Sequence, residues 1–138
     1  GKTINAYSFK GVNNDIIIKN ENQFDFQKEF TFSIWFKPRV YSVSQKFLVS
    51  KFKNYDDAYS FGIEKNLMDV RLYSTKNGWQ IYSDNHVLDT NQWYLSNFVL
   101  SNNNLLIYIN GNLISSKTFS DSIRNSSAPL VFGNFYYP

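Results

Sequence analysis

Phe30-Thr31-Phe32-Ser33-Ile34-Trp35-Phe36-Lys37 alternates with a period of two: Phe30, Phe32, Ile34 and Phe36 fall on one side, Thr31, Ser33 and Lys37 on the other. Successive side chains of an extended strand point to opposite faces, so the stretch predicts a strand with one face in a core. Pro38 ends it, since proline has no N–H to give a sheet ladder. Similar short segments recur at 4–9, 15–19, 46–52, 58–64, 67–74, 79–83, 93–100, 105–110, 113–119 and 130–133, with Asn, Asp, Gly or Ser between them. That rhythm of about one strand per ten residues predicts an all-β, antiparallel two-sheet sandwich. No stretch carries the helical period, and residues 120–127 read as a polar loop.

Asn110-Gly111, between Leu105-Leu106-Ile107-Tyr108-Ile109 and Asn112-Leu113-Ile114, predicts a tight hairpin, because both residues tolerate the positive φ of a type I′ turn. Asn77-Gly78, just before Trp79, predicts a second turn between the segments 67–74 and 79–83.

A chain of 138 residues is one domain's worth, residues 1–138, and is long enough to build a core without staples. The absence of cysteine removes disulfides, zinc–thiolate sites and thiol nucleophiles together. The net charge of +3 comes from scattered lysines such as Lys10, Lys28, Lys51 and Lys117, which read as a solvated surface and not a nucleic-acid footprint. No apolar run reaches the roughly 18 residues of a membrane helix, so no membrane insertion is expected. The abundance of asparagine has two readings: an AT-rich gene, or amides suited to hydroxyl-rich ligands.

Several motifs then fall in the order of a known family. Ser8-Phe9-Lys10-Gly11-Val12-Asn13-Asn14-Asp15-Ile16 resembles the Phe-x-Gly-x-Asp-Asp-Tyr-Val opening of the laminin-G-like, concanavalin A-like lectin/glucanase jelly rolls. The strand from Phe30 to Pro38 is similar to their Phe-Thr-(apolar)-Ser-x-Trp-(apolar)-Lys-Pro motif. Gln92-Trp93-Tyr94, the Asn110-Gly111 hairpin and Ala128-Pro129-Leu130-Val131-Phe132-Gly133 look like later strands of the same family. The resemblance implies a concanavalin A-like jelly roll, with Trp35 and Trp93 as structural positions. Two departures stand out. Asn13-Asn14 replace the family's acidic pair, which leaves Asp15 as the remaining candidate ligand for a structural calcium. The family's final Gly-x-Ile-Asp strand has no counterpart before Pro138, so an open sheet edge is expected, available to a partner chain or domain.

Catalytic chemistry finds no constellation. Glycanases of this kind need two carboxylates about 5–5.5 Å apart, which on a strand means acidic residues with period two. Glu21, Glu29 and Glu64 are the only glutamates and none has an acidic neighbour two residues away. His86, the single histidine, reads as an exposed turn residue, and no nucleophile-elbow sequence supports a triad. Asn125-Ser126-Ser127 matches the glycosylation acceptor pattern, as a single chance match would.

Sugar rings stack on aromatic rings while amides and carboxylates take their hydroxyls. On that ground Tyr55, Asp56, Asp57 and Tyr59, with Asn77 and Trp79, are the candidate ligand-binding set. Tyr59 and Trp79 have the alternative of turning inward as core. The expected function is a non-catalytic carbohydrate-binding or adhesion module of a secreted or cell-surface protein, with a glycan or glycoprotein ligand. The alternative is a structural or protein-interaction sandwich that pairs with a neighbouring chain or domain.

Overall fold

The computed structural model describes residues 5–10, 14–19, 21–53 and 56–134. Ten strands are described: β1 (Ile16–Ile18), β2 (Phe30–Phe36), β3 (Lys46–Lys53), β4 (Asp56–Glu64), β5 (Leu67–Ser74), β6 (Gly78–Ser83), β7 (Tyr94–Ser101), β8 (Asn104–Ile109), β9 (Asn112–Thr118) and β10 (Leu130–Phe132). They form two antiparallel sheets, one of six strands in the order β1-β10-β3-β4-β5-β6 and one of four in the order β2-β7-β8-β9. A single 3-10 turn, Glu21–Phe24, leads into β2.

Ten of the eleven predicted strands form. The exception is the segment 4–9, whose described residues make no strand. Its Phe9 ring instead lies over Gly133, where a Cβ would come within 2.3 Å of the ring, so side-chain packing holds this segment and ladder bonds do not. The predicted hairpin is present: Asn110 and Gly111 both have positive φ, at 50° and 81°.

The inward residues of β2 meet those of β4 across the gap between the sheets. Phe61 of β4 stacks on Phe98 of β7 with ring centroids 4.6 Å apart. Phe30 and Phe32 of β2 pack on Tyr59 and Phe61. Val49, Val70, Leu72, Leu100, Leu105 and Ile107 complete this buried layer. Aromatic pairs of this kind add about 0.5–1.5 kcal/mol each beyond the area they bury.

One core position is charged. Lys51 of β3 is fully buried, its ammonium 3.1 Å from the Asp25 carboxylate and bonded to the carbonyls of Ser126 and Ala128. The expectation of a uniformly solvated set of lysines is therefore corrected at Lys51. A buried ammonium needs such a full set of acceptors to offset its lost hydration.

Candidate ligand-binding face

The outer side of the six-stranded sheet carries a groove of about 460 Å³, lined by Gln45, Phe47, Phe52, Asp57, Ser60, Arg71, Trp79 and Ile81. Two β-bulges build it. Between Phe47 and Val49, β3 advances two residues while β4 advances one, from Gly62 to Phe61. Between Lys51 and Phe52, β4 advances two, from Tyr59 to Asp57, while β3 advances one. An extra residue reverses the in–out alternation beyond it. Phe47 and Asp57, which strict alternation would aim at the core with Val49 and Tyr59, therefore stand on the outer face. Gly62 is required at the first bulge: a Cβ there would lie 2.4 Å from the Lys46 carbonyl oxygen.

The groove's wall is a row of aromatic rings. Tyr73 meets Trp79 edge-on at 5.3 Å, Trp79 meets Phe52 at 6.1 Å, and Phe52 meets Phe47 at 5.4 Å. The Arg124 guanidinium caps the row, 4.1 Å above the Tyr73 ring. Trp79 keeps 37% of its surface exposed, which leaves an indole flank for a ligand.

Polar groups cross the floor. Arg71 donates from Nε to Asp69 and from Nη2 to Glu64, each at 2.7 Å, and the Gln45 amide also donates to Asp69. Neither Arg71 Nη1 nor the Trp79 indole N–H has a protein partner among the described residues, so both remain available as donors. Ser60 Oγ is fully buried and also unpartnered among these residues. A buried hydroxyl without a partner calls for water or a ligand hydroxyl. Burial pushes the Asp57 carboxyl above its ordinary value; the Arg124 charge opposes this and Asp56 adds to it. Asp69 is likewise pushed up by burial, against the opposing bond and charge of Arg71.

The candidate set divides on this geometry. Asp57 and Trp79 share the groove. Tyr59 is core: it is 1% exposed and its hydroxyl donates to the Phe24 carbonyl at 3.0 Å, so it offers a ligand no face. Asp56 begins β4 and serves the fold, accepting bonds from the Ser127 amide and hydroxyl. Burial opposes its ionisation, but those bonds and Arg124 outweigh burial and hold it below the ordinary value. Asn77 is exposed in the β5–β6 turn, where its backbone N–H donates to Ser74 Oγ. Tyr55 lies outside the described residues. Missed were Phe47, Phe52, Tyr73 and Arg71. The spacing of Tyr73 and Arg71 along β5 placed them on one face, but nothing in the sequence marked that face as concave.

A second hollow, of about 500 Å³, lies between the β6–β7 loop and β9, and is walled by Ser83, Asp84, Asn85, His86, Ile114, Ser115, Ser116 and Lys117. It has no aromatic ring to stack a sugar on, and the aromatic groove is the better-built site.

A family model described as the concanavalin A-like lectin/glucanases superfamily matches residues 10–136. The chain belongs to that superfamily. In fold, the binding domain of Paraclostridial Mosquitocidal Protein 1 superposes with a TM-score of 0.72 at 18% identity, over 91% of this chain and 34% of that one. The binding domain of botulinum neurotoxin DC, solved in complex with rat synaptotagmin II, gives 0.71 at 22% identity, over 94% of this chain and 34% of the toxin chain. A botulinum neurotoxin type C structure concerned with interaction with two ganglioside molecules gives 0.69 at 22% identity, over 90% and 32%. The chain thus spans about a third of the length of these structures, and the likeness shows a shared fold. No curated protein matches it in sequence.

Two superfamily positions depart from expectation. Trp35 and Trp93, read as structural, are 61% and 49% exposed. Trp35 stands opposite Leu95 on the outer side of the four-stranded sheet, the side its phase in the alternation assigns it. Asp15 is exposed just before β1, and among the described residues no group of three carboxylate, histidine or cysteine side chains gathers around a metal position. No helix among the described residues is long and apolar enough to cross a membrane.

Proposed function

We propose that this chain is a non-catalytic carbohydrate-binding or adhesion module of a secreted or cell-surface protein, and that it binds glycan in the aromatic groove of the six-stranded sheet. The observation that carries this is the Tyr73–Trp79–Phe52–Phe47 row beside unpartnered donors at Arg71 and Trp79 and the Asp57 carboxylate. A sugar ring has the same division, an apolar C–H face and a rim of hydroxyls. Structural neighbours, one described by its dependence on two ganglioside molecules and others in complex with SialylT and with rat synaptotagmin II, are consistent with a binding role. A hydrolytic role is disfavoured because the Glu64 and Asp69 carboxylates are both engaged by Arg71 at 2.7 Å and not left as a free acid–base pair.

A glycan array probed with and without calcium tests this reading. The wild type is expected to bind, and Trp79→Ala to weaken binding about thirtyfold, the scale of a central aromatic contact, with the β-sheet circular dichroism spectrum unchanged. No binding at high protein concentration in either condition overturns it. A second reading, a module that docks on protein, is favoured by Trp35, exposed beside the edge of β2 that no described strand pairs. Concentration-dependent association in light scattering, abolished by Trp35→Ala, supports that reading; a monomer at all concentrations removes self-pairing.

A further inference from the structure

Although the chain carries a net charge of +3, its groove does not. Asp57 lines it, and Glu64 and Asp69 are bonded to its lining residue Arg71. Against these three carboxylates stand two guanidiniums, Arg71 and Arg124, the latter bonded to the Asp57 carbonyl at 3.0 Å. Lys53, one residue beyond Phe52 at the end of β3, lies outside the lining. Among the described residues that line the groove Arg71 is the one cation, and both of its bonded nitrogens face carboxylates at 2.7 Å. Its charge is compensated before any ligand arrives, while its free Nη1 still has N–H groups to give a neutral oxygen.

An incoming carboxylate or sulfate would meet Asp57 across the floor with no uncompensated cation to receive it. At a half-buried site the repulsion between like charges a few ångströms apart is of order kcal/mol, and is screened less than on an open surface. A neutral hydroxyl has the opposite prospects: Asp57 accepts, Arg71 Nη1 and the Trp79 indole N–H donate, and the aromatic row takes the ring face. We propose, resting on the glycan-binding reading above, that the groove is specific for neutral glycans and rejects their sialylated and sulfated counterparts.

The test is an array presenting each neutral glycan beside its sialylated and sulfated forms, followed by titration calorimetry on the best neutral ligand. The neutral member of each pair is expected to bind about tenfold or more tightly than the acidic one, and its affinity to change less than about twofold between low and high salt. Asp57→Asn should narrow the gap by improving the acidic member. Equal or tighter binding of the acidic members, or affinity that collapses with salt, overturns this inference and leaves glycan binding standing. Failure of every glycan, neutral or acidic, overturns the glycan-binding reading itself.

Discussion

At the scale of single residues, the clearest departure from surface logic is Lys51. It occupies a core-facing position opposite Tyr59, and its ammonium ties Asp25 to the carbonyls of Ser126 and Ala128. These partners lie far from it in sequence, so nothing local distinguishes Lys51 from the exposed lysines around it. Removing one partner of a buried pair leaves the other uncompensated, and Lys51→Ala is expected to cost about 3–5 kcal/mol, read from urea unfolding midpoints. Substituting Lys46, exposed at the other end of β3, should change stability by less than about 0.5 kcal/mol. Trp79 was legible as a candidate because an indole followed a tight turn, and it lines the groove. Tyr59 was not separable from it by composition, because only the inward phase of β4 distinguishes them.

At the scale of elements, turns and bulges decide what the strands present. The β5–β6 turn that carries Trp79 is closed by Asp121 from a distant loop, which accepts bonds from the Ser74 and Thr75 hydroxyls and the amides of Lys76 and Ser122. Those bonds, the Ser74 hydroxyl foremost, hold the Asp121 carboxyl well below its ordinary value. With the folded value lowered, the unfolded chain binds the extra proton. The stabilisation is complete above the ordinary carboxylate range near pH 4 and drains as pH falls below it. Asp57, Asp69 and Asp84, pushed up by burial, act with the opposite sign, so a variant must isolate the effect. Asp121→Asn is expected to flatten the loss of stability between pH 5 and pH 3 seen in denaturant unfolding; an unchanged slope would contradict this. Hairpins that lack the Asn-Gly signature also close on paired positive φ, at Lys65-Asn66 and Asn102-Asn103. Asparagine and lysine at these positions give a weaker signal than Asn-Gly, though the strand bounds flanking them were still readable from alternation.

At the scale of the whole molecule, stability resides between the sheets. Phe98 is fully buried and stacked on Phe61 from the opposite sheet, so Phe98→Ala is expected to cost about 3–5 kcal/mol. Trp35→Ala, equally aromatic but on the outer side, should cost less than about 1 kcal/mol. Measured side by side in thermal unfolding, the two would separate the sandwich's inner layer from its outer surface. The same distinction explains why the family motifs located the strands and yet did not tell that Trp35 and Trp93 are exposed: a motif gives order along the chain, while burial depends on whether another layer covers that face.

The amino-acid sequence by itself determined an all-β chain, its strands to within a residue or two save the segment 4–9, its antiparallel pairing and its superfamily, because period-two alternation and turn chemistry are local. The tertiary structure alone decided which face became concave. The extra residues at the two bulges turn Phe47 and Asp57 outward, distant carbonyls bury Lys51, and the stacking of the sheets hides Tyr59 while leaving Trp79 at the groove. Each of these depends on contacts between segments remote in the chain, and alternation carries no record of them.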